Sequence, residues 1–182
     1  MGVKPIRLLC TIIGFTLGIL LVGAPPLSAQ GNCQPLFDAL TKVTKTPTHI
    51  YVTANDIPNT GGKARTYETI YATGSVYMKV KGSWVRSPVT PQQVVKQEQE
   101  NWQNGKLTCR YLRDESVSGE AATVYSMHGE TSDPDQKFDG QVWISKSRGL
   151  PLRREQDINA GNDVGKSHQS VRYEYGNVQP PL

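Results

Sequence analysis

The chain has 182 residues, 37% of them hydrophobic, and a formal net charge of +4 at pH 7. That is the size of one ordinary domain, long enough to bury a core without help from a metal. Basic and acidic residues are interspersed, with no run of five or six like charges. A nucleic-acid partner, which would want a basic stripe on one face, is therefore not expected.

The chain begins with Lys4 and Arg7, an apolar run from Leu8 to Val22, the break Gly23-Ala24-Pro25-Pro26, and the small-residue exit Leu27-Ser28-Ala29. This order describes a secretory signal peptide cut before Gln30. The competing reading is a signal anchor, against which the apolar run falls just short of the ~17–25 residues that span a bilayer. Residues 1–29 are thus expected to be a cleaved signal peptide, and residues 30–182 a single exported domain that does not span the membrane. The periplasm is the first expectation for its location and the extracellular space the second. Without Lys4 and Arg7 the remainder is close to neutral.

Cys10 lies inside the apolar leader, and Leu8-Leu9-Cys10 precedes most of the apolar run, which argues against a lipobox. That leaves Cys33 and Cys109. Two thiols in an oxidising compartment are expected to pair as a structural disulfide. A redox or metal pair is the alternative, but there is no C-x-x-C and no nearby histidine.

A helix is predicted from Pro35 to Val43, with Leu36, Phe37, Leu40 and Val43 on one face, ended by Pro47. Strands follow at His49–Ala54, Arg65–Ala72, Ser75–Lys81 and Ser83–Pro88, with turns at 59–62, Thr73-Gly74 and Lys81-Gly82. A second helix is predicted from Pro91 to Trp102, opened by Thr90 and Gln93 as a capping box and left at Gly105. The remaining strands are Leu107–Arg113, Ala121–His128, Gly140–Ser147, Leu150–Asp157 and His168–Val178, with a tight turn at Arg148-Gly149 and a loop from Asn159 to Lys166. No long helix alternates with the strands, so parallel crossovers are not expected. The fold class is mainly β (α+β): a strongly curved antiparallel sheet or half-barrel, with two short helices covering its concave face.

No residue pattern points to catalysis. His49, His128 and His168 lie in strand patterns without zinc-site spacing, and no G-x-S-x-G elbow is present. Asp133, Asp135 and Asp139 fail the calcium-loop pattern and read as a solvated hairpin loop. Glu98 and Glu100, two apart on a helix, do not face each other. Aromatic residues, by contrast, occur on nearly every strand, where they either fill the core or line an amphiphile site.

Three segments carry a family resemblance: Gly74 to Arg86, Val142 to Glu155 and Val171 to Val178. The pattern Val142-Trp143-Ile144, Lys146, Gly149-Leu150-Pro151, Arg153, followed by Tyr173, Tyr175, Asn177 and Val178, resembles the outer-membrane lipoprotein carrier superfamily of LolA and LolB. The resemblance implies a half-open antiparallel barrel with a helical lid and an apolar cavity for acyl chains. In that family an arginine on an early strand holds the lid. Here the first strand offers His49, Tyr51 and Thr53, and Arg65 is the first arginine after the leader. The function expected is that of an exported, non-enzymatic binding protein for an acyl chain or similar amphiphile. The alternative is an envelope interaction or sensor module with a filled core. Cavity-lining candidates are Val52, Val76, Met78, Val80, Trp102 and Tyr111. No cofactor or metal is expected, and the partners would be a lipid or lipoprotein acyl chain, or another envelope protein.

Overall fold

The computed structural model describes residues 33–55, 63–104, 106–132, 135–160 and 165–181. The expected signal peptide, the turn at 59–62, Gly105, Asp133 and the centre of the loop after Asn159 lie outside the described residues. Two helices, α1 (Gln34–Val43) and α2 (Pro91–Asn104), accompany nine strands. The strands are β1 (Thr48–Asn55), β2 (Arg65–Ala72), β3 (Ser75–Val80), β4 (Ser83–Arg86), β5 (Lys106–Val117), β6 (Glu120–Ser132), β7 (Asp135–Ser145), β8 (Pro151–Ala160) and β9 (Gly165–Tyr175). They form one open, curved antiparallel sheet in the order β4-β3-β2-β1-β9-β8-β7-β6-β5. The expected fold class is the observed one.

Every neighbouring pair is consecutive in sequence except β1–β9, which closes the sheet's two halves side by side. Tight turns make the local pairs. At Thr73-Gly74, Lys81-Gly82 and Ser118-Gly119 both central residues have positive φ, the geometry that matches strand twist in two-residue hairpins. The predicted strands after α2 were too short: β5, β6 and β7 run several residues further because their polar ends still pair with neighbours. In the other direction, β7 stops at Ser145 rather than Ser147 and β8 starts at Pro151. Between them the Gly149 amide donates to the Ser145 carbonyl at 2.8 Å, and the Ser145 amide to the Leu150 carbonyl at 2.8 Å. The reversal thus takes five residues, one of them the left-handed Gly149 at φ +63°.

The second helix starts as its sequence specifies. The Thr90 amide donates to Gln93 Oε1 at 2.8 Å, and the Gln93 amide to Thr90 Oγ1 at 3.3 Å, a reciprocal cap that satisfies two orphan donors. Apolar residues of both helices cover one face of the sheet. Leu36, Ala39 and Leu40 of α1 and Val95 of α2 pack on Cys109, Met127, Val142 and Ile144. Val43 of α1 packs with Tyr71, Val76 and Leu150, next to Val94 of α2. A disulfide between Cys33 and Cys109, whose Cα atoms are 5.0 Å apart, fastens the start of α1 to β5.

Candidate functional site

Cross-strand register assigns the side chains of the sheet to two faces, since paired residues point the same way. On the helix-bearing face one row runs Tyr111, Tyr125, Val142, Arg154, Val171, Val52, Tyr67. The next row carries Tyr173, Ile50, Thr69, Met78 and Val85. The helices cover the middle of this face and leave its β2–β4 end open. There Tyr67, Met78, Val80 and Val85 are 46%, 45%, 46% and 51% exposed. Met78 is paired with Val85, and both Tyr67 and Val80 lie one pleat further along the same face. Together they make an apolar shelf continuous with the buried cluster around Val76.

The six expected lining residues are divided by the fold. Val76 is buried beneath α1 in the cluster with Val43, Tyr71 and Leu150. Trp102 of α2 packs on Phe37 of α1, with ring centroids 5.8 Å apart, against the main core. Val52 is half-buried in mid-sheet, whereas Met78 and Val80 stand on the open shelf. Tyr111 is 59% exposed on β5, seven strands from β3 in the hydrogen-bonded order, where its ring meets Tyr125 edge-on at 6.4 Å.

Between the shelf and the main core lies a charged bridge that the sequence reading missed. Arg154 Nη1 on β8 donates to Glu98 Oε1 on α2 at 2.8 Å, with side chains 17% and 28% exposed. Burial opposes the guanidinium's charge, but Tyr173 and Glu98 outweigh it and its pKa is raised. Arg154 Nε is buried without a hydrogen-bond partner. Burial also raises the hydroxyl pKa values of Tyr71 and Tyr173 beside it. The arginine that meets a helix here comes from a late strand, and Arg65, the first arginine among the described residues, stands exposed at the start of β2.

Of the resembling motifs, Val142, Ile144 and Tyr173 stand on the helix-bearing face, and Trp143 and Arg153 on the opposite one. The indole of Trp143 donates to Glu115, and the Arg153 guanidinium lies over its ring, 5.0 Å from the centroid. The Tyr175 hydroxyl donates to the Pro151 carbonyl, and Arg148 lies 4.9 Å above the same ring while pairing with Glu120. These contacts tie Tyr175 to the turn between β7 and β8.

A polar groove of about 700 Å³ crosses β5–β9 on the face away from the helices. Its rim is a row set by register, His128-Asp139-Asp157-His168, on four successive strands. His128 Nδ1 lies 2.7 Å from Asp139 Oδ1, and His168 Nδ1 2.8 Å from Asp157 Oδ1. His168 Nε2 also reaches Glu155 Oε2 at 3.0 Å. The hydrogen bond to Asp157 raises the pKa of His168, burial opposing it and Glu155 reinforcing it. His49 is similarly placed beside Glu68, at 3.2 Å. All three histidines are therefore strand residues with a carboxylate on a neighbouring strand, a pairing invisible without the register. Among the described residues no group of three or more His, Cys, Asp or Glu side chains is arranged to hold a metal ion. No described helix is long and apolar enough to cross a membrane.

No protein family matches the sequence, and no curated protein does. Solved structures are similar at low sequence identity, among them the following three. LprF from Mycobacterium bovis has a TM-score of 0.44 and 13% identity, over 88% of this chain and 100% of that one. MucB in complex with MucA(peri) has a TM-score of 0.47 and 12% identity, over 82% of this chain and 58% of that one. A DUF1329 family protein from Desulfovibrio piger ATCC 29098 has a TM-score of 0.22 and 7% identity, over 79% of this chain and 93% of that one.

Proposed function

We propose that the chain is an exported, non-enzymatic binding protein of the cell envelope, in which residues 1–29 serve as a signal peptide. Its domain holds an acyl chain or similar amphiphile against the helix-bearing face of the half-barrel. The observation that carries this reading is the shelf of Tyr67, Met78, Val80 and Val85, four large apolar side chains left about half exposed on one face. Contiguous exposed apolar surface is the feature of a soluble domain that asks for a partner. An alkyl chain laid along it would gain roughly 0.8 kcal/mol for each methylene fully removed from water. Val52, at the inner end of the row, would meet the part of the chain nearest the helices.

The test is binding of a fluorescent fatty-acid probe by the wild type and by Met78→Glu. Met78 is exposed, so the charge meets water in the free protein and the melting temperature should hold. Probe affinity should fall roughly tenfold or more, the equivalent of about two methylenes of burial. Equal binding by both proteins would remove the shelf from the site.

A second reading, an interaction or sensor module with a filled core, is favoured by the Arg154–Glu98 bridge. A charged pair under α2 is a poor lining for a deep alkyl cavity, and the apolar residues around it are already packed. A wild-type protein that binds no amphiphile probe would establish this second reading in place of the first.

A further inference from the structure

We propose that the hairpin of β3 and β4 docks on the surface of an anionic phospholipid bilayer. The inference rests on the shelf being a contact surface for amphiphiles, and it names the place where those amphiphiles are met. From Lys63 to Arg86 the sequence holds five cations (Lys63, Arg65, Lys79, Lys81, Arg86) and a single acid, Glu68. This one stretch carries as much net positive charge as the whole chain. Glu68 is already engaged, by Lys79 at 2.8 Å and His49 at 3.2 Å, and the hydrogen bond from Lys79 holds its carboxyl below the usual range. Arg65, Lys81 and Arg86 are exposed. None of these three makes an ion pair with a described carboxylate.

The apolar and basic side chains are gathered on one hairpin. Val80, paired with Ser83, adjoins the Lys81-Gly82 turn on the shelf face, and the Met78–Val85 pair stands one pleat behind it. Lys81 sits in the turn itself, and Arg86 lies at the far end of β4. On the reverse face Trp84 is half-buried, with Lys79 Nζ 5.7 Å from its ring centroid. Exposed aliphatic side chains on one face of a short hairpin, with a cation in its turn and cations and an amphipathic aromatic on its reverse face, are what a headgroup layer accommodates. The sheet edge itself argues against a second copy of this chain. β4 has only four residues and is the last strand in the order, and a short edge strand bordered by the exposed cations Lys81 and Arg86 is a poor template for edge-to-edge pairing.

The experiment is vesicle co-sedimentation of the disulfide-bonded protein lacking residues 1–29, run beside the fatty-acid probe assay without vesicles. The wild type should sediment with vesicles containing phosphatidylglycerol at least tenfold more tightly than with pure phosphatidylcholine, and raised salt should release it. Lys81→Glu with Arg86→Glu should abolish sedimentation while leaving probe binding and the melting temperature intact. Failure to sediment with anionic vesicles, with probe binding retained, overturns the docking proposal and leaves the amphiphile reading standing. Equal binding to both vesicle types, or unchanged sedimentation of the charge-reversed variant, overturns it too. Loss of both vesicle and probe binding in the wild type overturns the two readings together. A concentration-dependent dimer disrupted by the same charge reversal would assign the hairpin to a second copy and overturn the lipid surface.

Discussion

Arg154 on β8 and Glu98 on α2 are 56 residues apart in sequence and 2.8 Å apart in space, and theirs is the ion pair that ties α2 to the centre of the sheet. The helix offers little else of its own there: it is largely Gln, Lys and Glu, with Val95 as its one buried large aliphatic in the main core. An ion pair this far from bulk water is costly to break from one side, because the remaining charge loses its partner but not its burial.

Replacing Glu98 by Gln should therefore destabilise the protein by about 1–3 kcal/mol, less than for a fully buried pair because both side chains keep some solvent contact. Urea denaturation measures this directly. Glu98→Leu combined with Arg154→Met should recover much of the loss. A double variant no better than Glu98→Gln would mean that the pair stabilises by more than mutual neutralisation.

The Cys33–Cys109 disulfide closes a loop of 76 residues. In the chain-entropy treatment such a loop contributes about 4 kcal/mol. Thiol labelling of the purified protein without reductant should find neither Cys33 nor Cys109, and Cys33→Ser with Cys109→Ser should lower the denaturation midpoint markedly. Two free thiols in the native protein would contradict the link.

Gly149 has φ +63°, and a Cβ there would come within 2.7 Å of Lys42 Nζ, the end of a flexible side chain that can move away. The cost of a substitution thus resides mainly in the backbone. Gly149→Val should destabilise by more than about 1 kcal/mol, since a β-branched residue resists the left-handed region. Lys42 Nζ donates to the Arg148 carbonyl at 3.0 Å, so Lys42→Met should loosen the same turn more mildly. Unchanged thermal melting of Gly149→Val would refute the constraint.

His168 links stability to pH. Its pKa is raised in the folded state by the hydrogen bond to Asp157, with burial opposing and Glu155 adding to the effect. A raised folded pKa favours the native state fully below the unfolded imidazole value of about 6.5. That contribution is lost as pH rises through the folded value. His168→Gln should flatten this part of the stability profile. The effect is small, because the ring is 41% exposed and solvent screens it. A proton NMR titration in which His168 ionises at or below the unfolded value would contradict the assignment.

Much of the fold is legible in single stretches of sequence because its causes are local. Alternation in Val76, Met78 and Val80 establishes a strand and a shared face. Thr90 and Gln93 start α2 within three residues of each other, and Thr73-Gly74 and Lys81-Gly82 reverse the chain within two. Cys33 and Cys109, the two cysteines outside the N-terminal apolar run, name each other as partners by elimination. Alternation assigns a side chain to a face without saying what covers that face. Val76 is buried because α1 delivers Val43 over it, and Met78, two residues on along the same face, is exposed because the helices stop short. Pairings between distant strands depend on register, which no single segment contains. His128, Asp139, Asp157 and His168 line up only once β6–β9 are in place. Glu98 looks like one more polar residue on a polar helix until β8 brings Arg154 beneath it. The sequence by itself determined which stretches become strands, the two-residue turns at Thr73-Gly74 and Lys81-Gly82, the cap and the disulfide, whose causes lie within a few residues or in a shortage of alternatives. Only the tertiary structure decided which apolar residues stay in water and which charges are paired, because burial and ion pairing belong to groups that long-range packing brings together.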